Sequence, residues 1–182
     1  MAPFYTGKGD AGDTGYLGEG RISKASSRIE AIGSVDEATA ALGLARSLTS
    51  LDRFNEILLE IQKHLYQLMS ELAASPENAG LFDSIHPEQI AWLEEVVVEV
   101  EETTDLPAGF ILPGSSPASA ALSLSRTIIR RAERRVVALL EEGGIDKPIL
   151  ASYLNRLSSL IFIMEVAEST SSGDGVRLAK ED

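Results

Sequence analysis

The chain has 182 residues, a formal net charge of −12 and no cysteine. That length fits one domain, 1–182, with a core large enough to need no staples. The missing thiols exclude disulfides, thiolate nucleophiles and cysteine-ligated zinc or iron–sulfur sites, and they fit a reducing compartment. A pI of about 4.6 sets the surface against duplex nucleic acid, whose binding depends on neutralising many phosphates. Met1-Ala2-Pro3-Phe4 lacks the basic start and apolar stretch of a secretory signal. No run approaches the roughly 18 apolar residues of a membrane span, so the expected location is the cytoplasm.

The chain opens on a glycine-dense segment, residues 1–25, with glycines at 7, 9, 12, 15, 18 and 20. It is neither a Walker loop nor a Rossmann fingerprint, because no Gly-Lys-Ser/Thr follows a four-residue spacer and no strand-glycine-helix pattern surrounds it. Thr6, Lys8, Thr14 and Lys24 interleave hydroxyl and cationic groups with the glycines. Backbone N–H groups freed of side chains, with such donors between them, suit an anion better than they suit a spacer. The alternative is a mobile arm.

From residue 26 to 169 the apolar spacing is helical and divides into five segments, which predicts an all-α five-helix bundle with ferritin-like up-and-down packing. Ser27 and Glu30 form a capping-box pattern opening a helix to about Leu48. Leu51 to Ala74 follows, ended by Ser75-Pro76. Pro87 suits the first turn of a third helix to about Thr103, and Ser116-Pro117 starts a fourth that ends near Gly143-Gly144. A fifth runs from Asp146 to about Ser169, and the polar tail, 170–182, is expected to be mobile.

The fourth helix carries five of the chain's 16 basic residues, Arg126, Arg130, Arg131, Arg134 and Arg135, within ten positions. At about 100° per residue, Arg126, Arg130, Glu133 and Arg134 form one stripe beside the core-facing arc, and Arg131 and Arg135 point elsewhere. A solvated face with i to i+4 pairs is the plain alternative. Planar guanidinium groups concentrated against an acidic background instead suit bidentate phosphate contacts. Together with the glycine loop they point to a bound polyphosphate. Elsewhere, His64 and His86 are far apart and no paired Glu-x-x-His motif exists, which disfavours a di-iron site. Asp36-Glu37 is either solvent-facing or a counter-ion to an arginine, and Asn155, in an apolar helix, needs a polar partner.

These residues carry a resemblance. Tyr5-Thr6-x-x-Gly9-Asp10-x-Gly12-x-Thr14, Lys24, Glu30-Ala31-x-Gly33-x-Val35-Asp36-Glu37, Phe110-Ile111-Leu112-Pro113-Gly114, the block Arg126 to Val137 and Tyr153-Leu154-Asn155-Arg156-Leu157-Ser158 resemble, in order, the PduO-type ATP:cob(I)alamin adenosyltransferases. The likeness implies a homotrimer with ATP bound between subunits and a corrinoid beside it. It implies that Thr6, Gly7, Lys8, Gly9, Thr14, Gly15 and Lys24 surround the nucleotide, and that Arg130, Arg131, Glu133, Arg134 and Asn155 complete the ATP site, Arg130 being catalytic. It further implies that Arg126 pairs with Asp36 across the subunit boundary, and that Phe110 packs near cobalt. Gly7, Asp13 and Ala25-Ser26 depart from the family pattern.

The activity so implied is transfer of the 5′-deoxyadenosyl group of ATP to Co(I) of a reduced corrinoid, releasing triphosphate. Cob(I)alamin is the substrate, Mg²⁺ arrives with the nucleotide for want of a dedicated acidic cage, and a reductase and an adenosylcobalamin-dependent client enzyme are the implied partners. No nucleic acid or membrane is expected to bind. The competing readings are a non-catalytic nucleotide- or corrinoid-binding regulator or chaperone, and a structural bundle that binds nothing.

Overall fold

Five long helices form because apolar side chains recur at helical spacing and breakers separate the runs. The computed structural model describes residues 6–171, 173 and 175–180. The helices are α1 (Ser27–Leu48), α2 (Asp52–Ala73), α3 (Pro87–Glu101), α4 (Pro117–Glu141) and α5 (Ile149–Ser171), with a short 3-10 turn at Pro76–Leu81. Across the bundle the neighbours run α2, α1, α4, α5, α3. Side-chain pairs fix the directions: Glu37 meets Arg131 and Glu30 meets Arg135, so α1 and α4 are antiparallel. The Asn155–Glu133 and Arg126–Glu165 pairs make α4 and α5 antiparallel. Leu58, Leu65, Leu122, Ile129, Leu157 and Ile161 are fully buried at the centre.

The helix starts show where local chemistry was and was not readable. Ser116 caps α4 as expected, its Oγ accepting from the Ser119 N–H at 3.1 Å with Pro117 in the first turn. At α1 the expected Ser27–Glu30 capping box does not form. Ser26 is the cap, accepting from the Ile29 N–H at 3.4 Å. Ser27 Oγ donates to Glu142 at 2.5 Å, and Glu30 is drawn to Arg135 at 3.2 Å. Tertiary partners outbid the local box. The fifth helix starts at Ile149, because the residue before Pro148 is biased away from helical geometry. α5 is 23 residues with a hydropathy of 1.3 over its most apolar stretch, long and apolar enough to cross a membrane by composition alone. That stretch is 61% buried inside the bundle, which its apolar surface serves as the core helix.

Two small antiparallel ladders lie outside the expected all-helical pattern: β1 (Asp13–Gly15) with β2 (Arg21–Ser23), and β3 (Ile111–Leu112) with β4 (Arg177–Leu178). The second corrects the expectation of a free tail. Ile111 is opposite Leu178 and the Ala179 N–H donates to the Phe110 carbonyl at 2.7 Å, so the described part of the tail is tied to the loop that carries Phe110.

His64 lies in the core, 7% exposed, with Nδ1 3.1 Å from the hydroxyl of the fully buried Tyr153 and its ring edge-on to Trp92. Burial pushes its pKa below the ordinary 6.5, with Glu60 pulling in the opposite direction. The folded state therefore favours the neutral ring, and the unfolded chain takes up the proton first as pH falls. Stability from this site is complete above about pH 6.5 and is lost as pH falls below it. We expect the melting temperature to fall between about pH 7.5 and 5.5, and to fall less in His64→Gln. Identical slopes in the two proteins would remove His64 as the source.

Candidate functional site: an arginine face on α4 and a glycine loop

The leading loop is folded back on itself. Lys24 N–H donates to the Gly12 carbonyl at 2.9 Å. The Lys24 ammonium lies so close to Gly9 that a β-carbon there would come within 3.0 Å of Nζ. A side chain at position 9 would displace that charge. Asp13, one of the departures from the family pattern, is neutralised across the hairpin. Arg21 donates to its two oxygens at 2.8 and 2.7 Å and to the Lys8 carbonyl at 2.7 Å. This bidentate bond holds the Asp13 carboxyl below the usual range, and Arg21 thereby ties both sides of the loop together.

The loop is also anchored to the bundle, against the reading of a mobile arm. Leu17 accepts from Ser75 at 3.2 Å and donates to the Ala73 carbonyl at 2.8 Å. Gly18 has a φ of +136°, and a β-carbon there would sit 2.4 Å from Ser75 Oγ. Only glycine permits both the backbone angle and the approach. Thr6, Gly7, Lys8 and Gly15 are exposed, and Gly9 and Thr14 are half-buried. Tyr5 of the leading motif lies outside the described residues.

On α4 the arginines divide as their spacing predicts. Arg131 and Arg135 turn to α1, where Glu37 and Glu30 neutralise them. Of the Asp36-Glu37 pair, it is Glu37 that meets an arginine within the chain. Arg130 and Arg134 are exposed and, among the described residues, make no hydrogen bond or ion pair. An unpaired cation on an acidic surface is the arrangement an anionic ligand can use. Arg130 and Arg126 line a cavity of about 320 Å³ with Leu106, Ser158, Ser159 and Phe162. Arg131, Arg134 and Arg135 line a second of about 300 Å³.

Asn155 is exposed, not embedded in apolar surroundings as its sequence context implied, and its Nδ2 donates to Glu133 Oε1 at 2.9 Å. Arg126 lies 3.6 Å from Glu165. Asp36 is exposed and, among the described residues, has no hydrogen-bond or ion-pair partner within the chain. Phe110 is 79% exposed at the tip of its loop. No hydrogen bond or ion pair among the described residues links the glycine loop to the arginines of α4. Sequence reading quoted Ser158 in a motif without giving it a role, and did not single out Ser159, Phe162 or Glu165. The signal available was their spacing, since positions 158, 162 and 165 share one helix face. A separate cavity of about 430 Å³ lies where α2 and α4 end, and its two cations already have partners. Lys147 meets Glu71 and Asp83 there, and Arg28 donates to the Leu72 and Gly144 carbonyls.

Comparison with known proteins supplies the context for this geometry. The corrinoid adenosyltransferase of Bacillus subtilis (strain 168) is 38% identical over 177 residues, covering 94% of this chain and 89% of that one. The corrinoid adenosyltransferase PduO of Salmonella typhimurium is 35% identical over 168 residues, and there the matched region is 92% of this chain and 50% of the relative. The chain thus spans about half the length of that PduO relative. Among solved structures, a lysine-for-arginine variant of the PduO-type ATP:co(I)rrinoid adenosyltransferase from Lactobacillus reuteri, complexed with ATP, superimposes with a TM-score of 0.89 at 30% identity. That match covers 97% of this chain and 100% of the other. An alanine-for-phenylalanine variant, complexed with cobalamin and ATP, gives 0.87 at 31%, covering 98% and 100%. The sequence model of cobalamin adenosyltransferases matches residues 4–168, nearly the whole of the bundle and its leading loop, and the chain belongs to the cobalamin adenosyltransferase family.

Proposed function

We propose that this protein transfers the 5′-deoxyadenosyl group of ATP to Co(I) of a reduced corrinoid. The observation that carries this reading is the pair of unpartnered guanidinium groups, Arg130 and Arg134, on a surface of net charge −12. Each lines a cavity, Arg130 with Arg126 and Arg134 with Arg131 and Arg135, in a fold whose solved relatives are complexed with ATP and cobalamin. In the reaction the Co(I) electron pair forms a bond to C5′ of the ribose, the C5′–O bond breaks, and triphosphate leaves with that bond's electrons. The substrate metal is itself the nucleophile, so no activated serine, cysteine or histidine is needed.

The protein's contribution is placement and charge. Negative charge grows on the departing triphosphate, and cations held beside it stabilise the transition state more than bound ATP. Arg130 is assigned that catalytic role, assisted by Lys8 and Lys24 of the loop. Thr6, Gly7, Gly9, Thr14 and Gly15 offer N–H and hydroxyl donors to the phosphates. Arg131, Glu133, Arg134 and Asn155 form the helix side of the ATP site. Glu133 and Asn155 orient each other through their hydrogen bond. The exposed Phe110 supplies an apolar face for the corrinoid.

That Asp36 is exposed without a partner in its own chain among the described residues supports a site built between two copies. In that arrangement, a homotrimer, Asp36 of one chain takes Arg126 of the next as its partner. Among the described residues no cluster of carboxylates and imidazoles is placed to hold a metal ion, and in this reading Mg²⁺ travels with the nucleotide phosphates. A cytoplasmic reductase would supply Co(I), and an adenosylcobalamin-dependent enzyme would take the product. The test is to mix the protein with Mg·ATP and chemically reduced cobalamin and follow the spectrum. ATP-dependent conversion of Co(I) to the alkylated cofactor is the expected result. Binding of ATP without that conversion would favour a regulator and overturn the enzymatic reading.

A further inference from the structure

Glu165 lies on α5, 2% exposed, one turn beyond Phe162 and two beyond Ser158 on the face that borders the Arg126–Arg130 cavity. Its Oε2 is 3.6 Å from Arg126 Nε. Both atoms are buried, and neither has a hydrogen-bond partner. The Arg126 guanidinium also lies over the Phe162 ring, 5.9 Å from its centre. A buried carboxylate opposite a buried guanidinium nitrogen is costly unless each compensates the other. Burial pushes the Glu165 carboxyl up, and a hydrogen bond with Ser123 and the charge of Arg126 draw it back down.

We propose that Glu165 is a positioning residue that, with Phe162, fixes the Arg126 side chain at the wall of the cavity shared with Arg130. Its carboxylate, 3.6 Å away, supplies the counter-charge to the inward-facing Nε, and the Phe162 ring lies under the guanidinium carbon. The two terminal nitrogens are left for whatever occupies the cavity or faces it from a second chain. Without the carboxylate, the arginine has no inner anchor and its rotamers compete. This inference rests on the proposed site insofar as it concerns adenosyl transfer, whereas the anchoring itself is a property of the folded chain.

Glu165→Gln keeps the shape and the capacity to bond Ser123 while removing the charge. We expect adenosyl transfer to slow by about tenfold to a hundredfold, as a small misplacement at a reacting site does, with an unchanged or raised melting temperature. In an Arg126→Met background the same replacement is expected to cause no further loss. Arginine Nε–H spectra, with the Arg126 signal identified by its absence in Arg126→Met, should show it resolved and protected in the parent protein and merged with solvent-exposed arginines in Glu165→Gln. An unmoved Arg126 signal, or an equal loss in both backgrounds, would overturn the proposal. A resolved Arg126 signal in a protein that fails to alkylate cobalamin would instead overturn the adenosyl-transfer reading and leave the anchoring intact.

Discussion

Arg130→Ala is expected to lower the rate of adenosyl transfer by about 100-fold or more, the usual effect of deleting one donor aimed at developing charge. The side chain is exposed and unpaired among the described residues, and alanine is the better helix former, so stability should shift by no more than about 0.5 kcal/mol. Loss of rate without loss of fold is what separates a transition-state role from a structural one. Arg130→Lys retains charge but lacks the planar fork and should fall between the two. Steady-state kinetics with reduced cobalamin, alongside thermal melts, make the comparison. Wild-type turnover in Arg130→Ala would take this residue out of the mechanism.

The largest stability effect is expected at Glu71, in the last turn of α2. Its side chain is 6% exposed. Oε1 accepts from the Ser84 and Ile85 N–H groups at 2.8 and 2.6 Å, and the other oxygen meets Lys147. One carboxylate therefore ties the loop that leads into α3, and the turn just before α5, to the last turn of α2. Glu71→Ala would leave two backbone donors and a partly buried ammonium without their acceptor, although Asp83 still reaches Lys147. Breaking a buried pair in this way costs about 3–5 kcal/mol, or roughly 10 °C or more in melting temperature for a domain this size. Glu71→Gln, which can still accept from both N–H groups, should lose less. Denaturant unfolding of the two variants measures the difference, and a loss below about 1 kcal/mol in the alanine variant would show that water replaces the carboxylate.

The bundle was legible because its signals are long and redundant. Twenty-odd residues of helical spacing, a serine and proline at 116 and 117, and a glycine at 143 with φ of +69° all name the same helix. What escaped was short or set by distant partners. Strands of two and three residues carry no period to detect, so neither the Asp13–Gly15 hairpin nor the docking of Arg177–Leu178 beside Phe110 could be read locally. Ser27 satisfied a capping pattern, yet Glu142, remote in sequence, claimed its hydroxyl. At the site, the division of the arginines followed from helical geometry. Of their partners, the Asp36-Glu37 pair was readable as a counter-ion to some arginine, whereas Glu165 was not, because it is chosen by the packing of α5 against α4. Asp13 departs from the family pattern, and its bidentate partner Arg21 across the turn, eight residues away, could not be read from its local sequence.

The central claim is that the α4 arginines and the glycine loop grip one nucleotide triphosphate. Calorimetric titration of the protein with Mg·ATP tests it most directly. The account predicts saturable binding that weakens by about tenfold or more when Arg130 and Lys24 are both replaced by alanine, the scale of lost charge-assisted hydrogen bonds. Absence of any association, or an affinity indifferent to both residues, would contradict it.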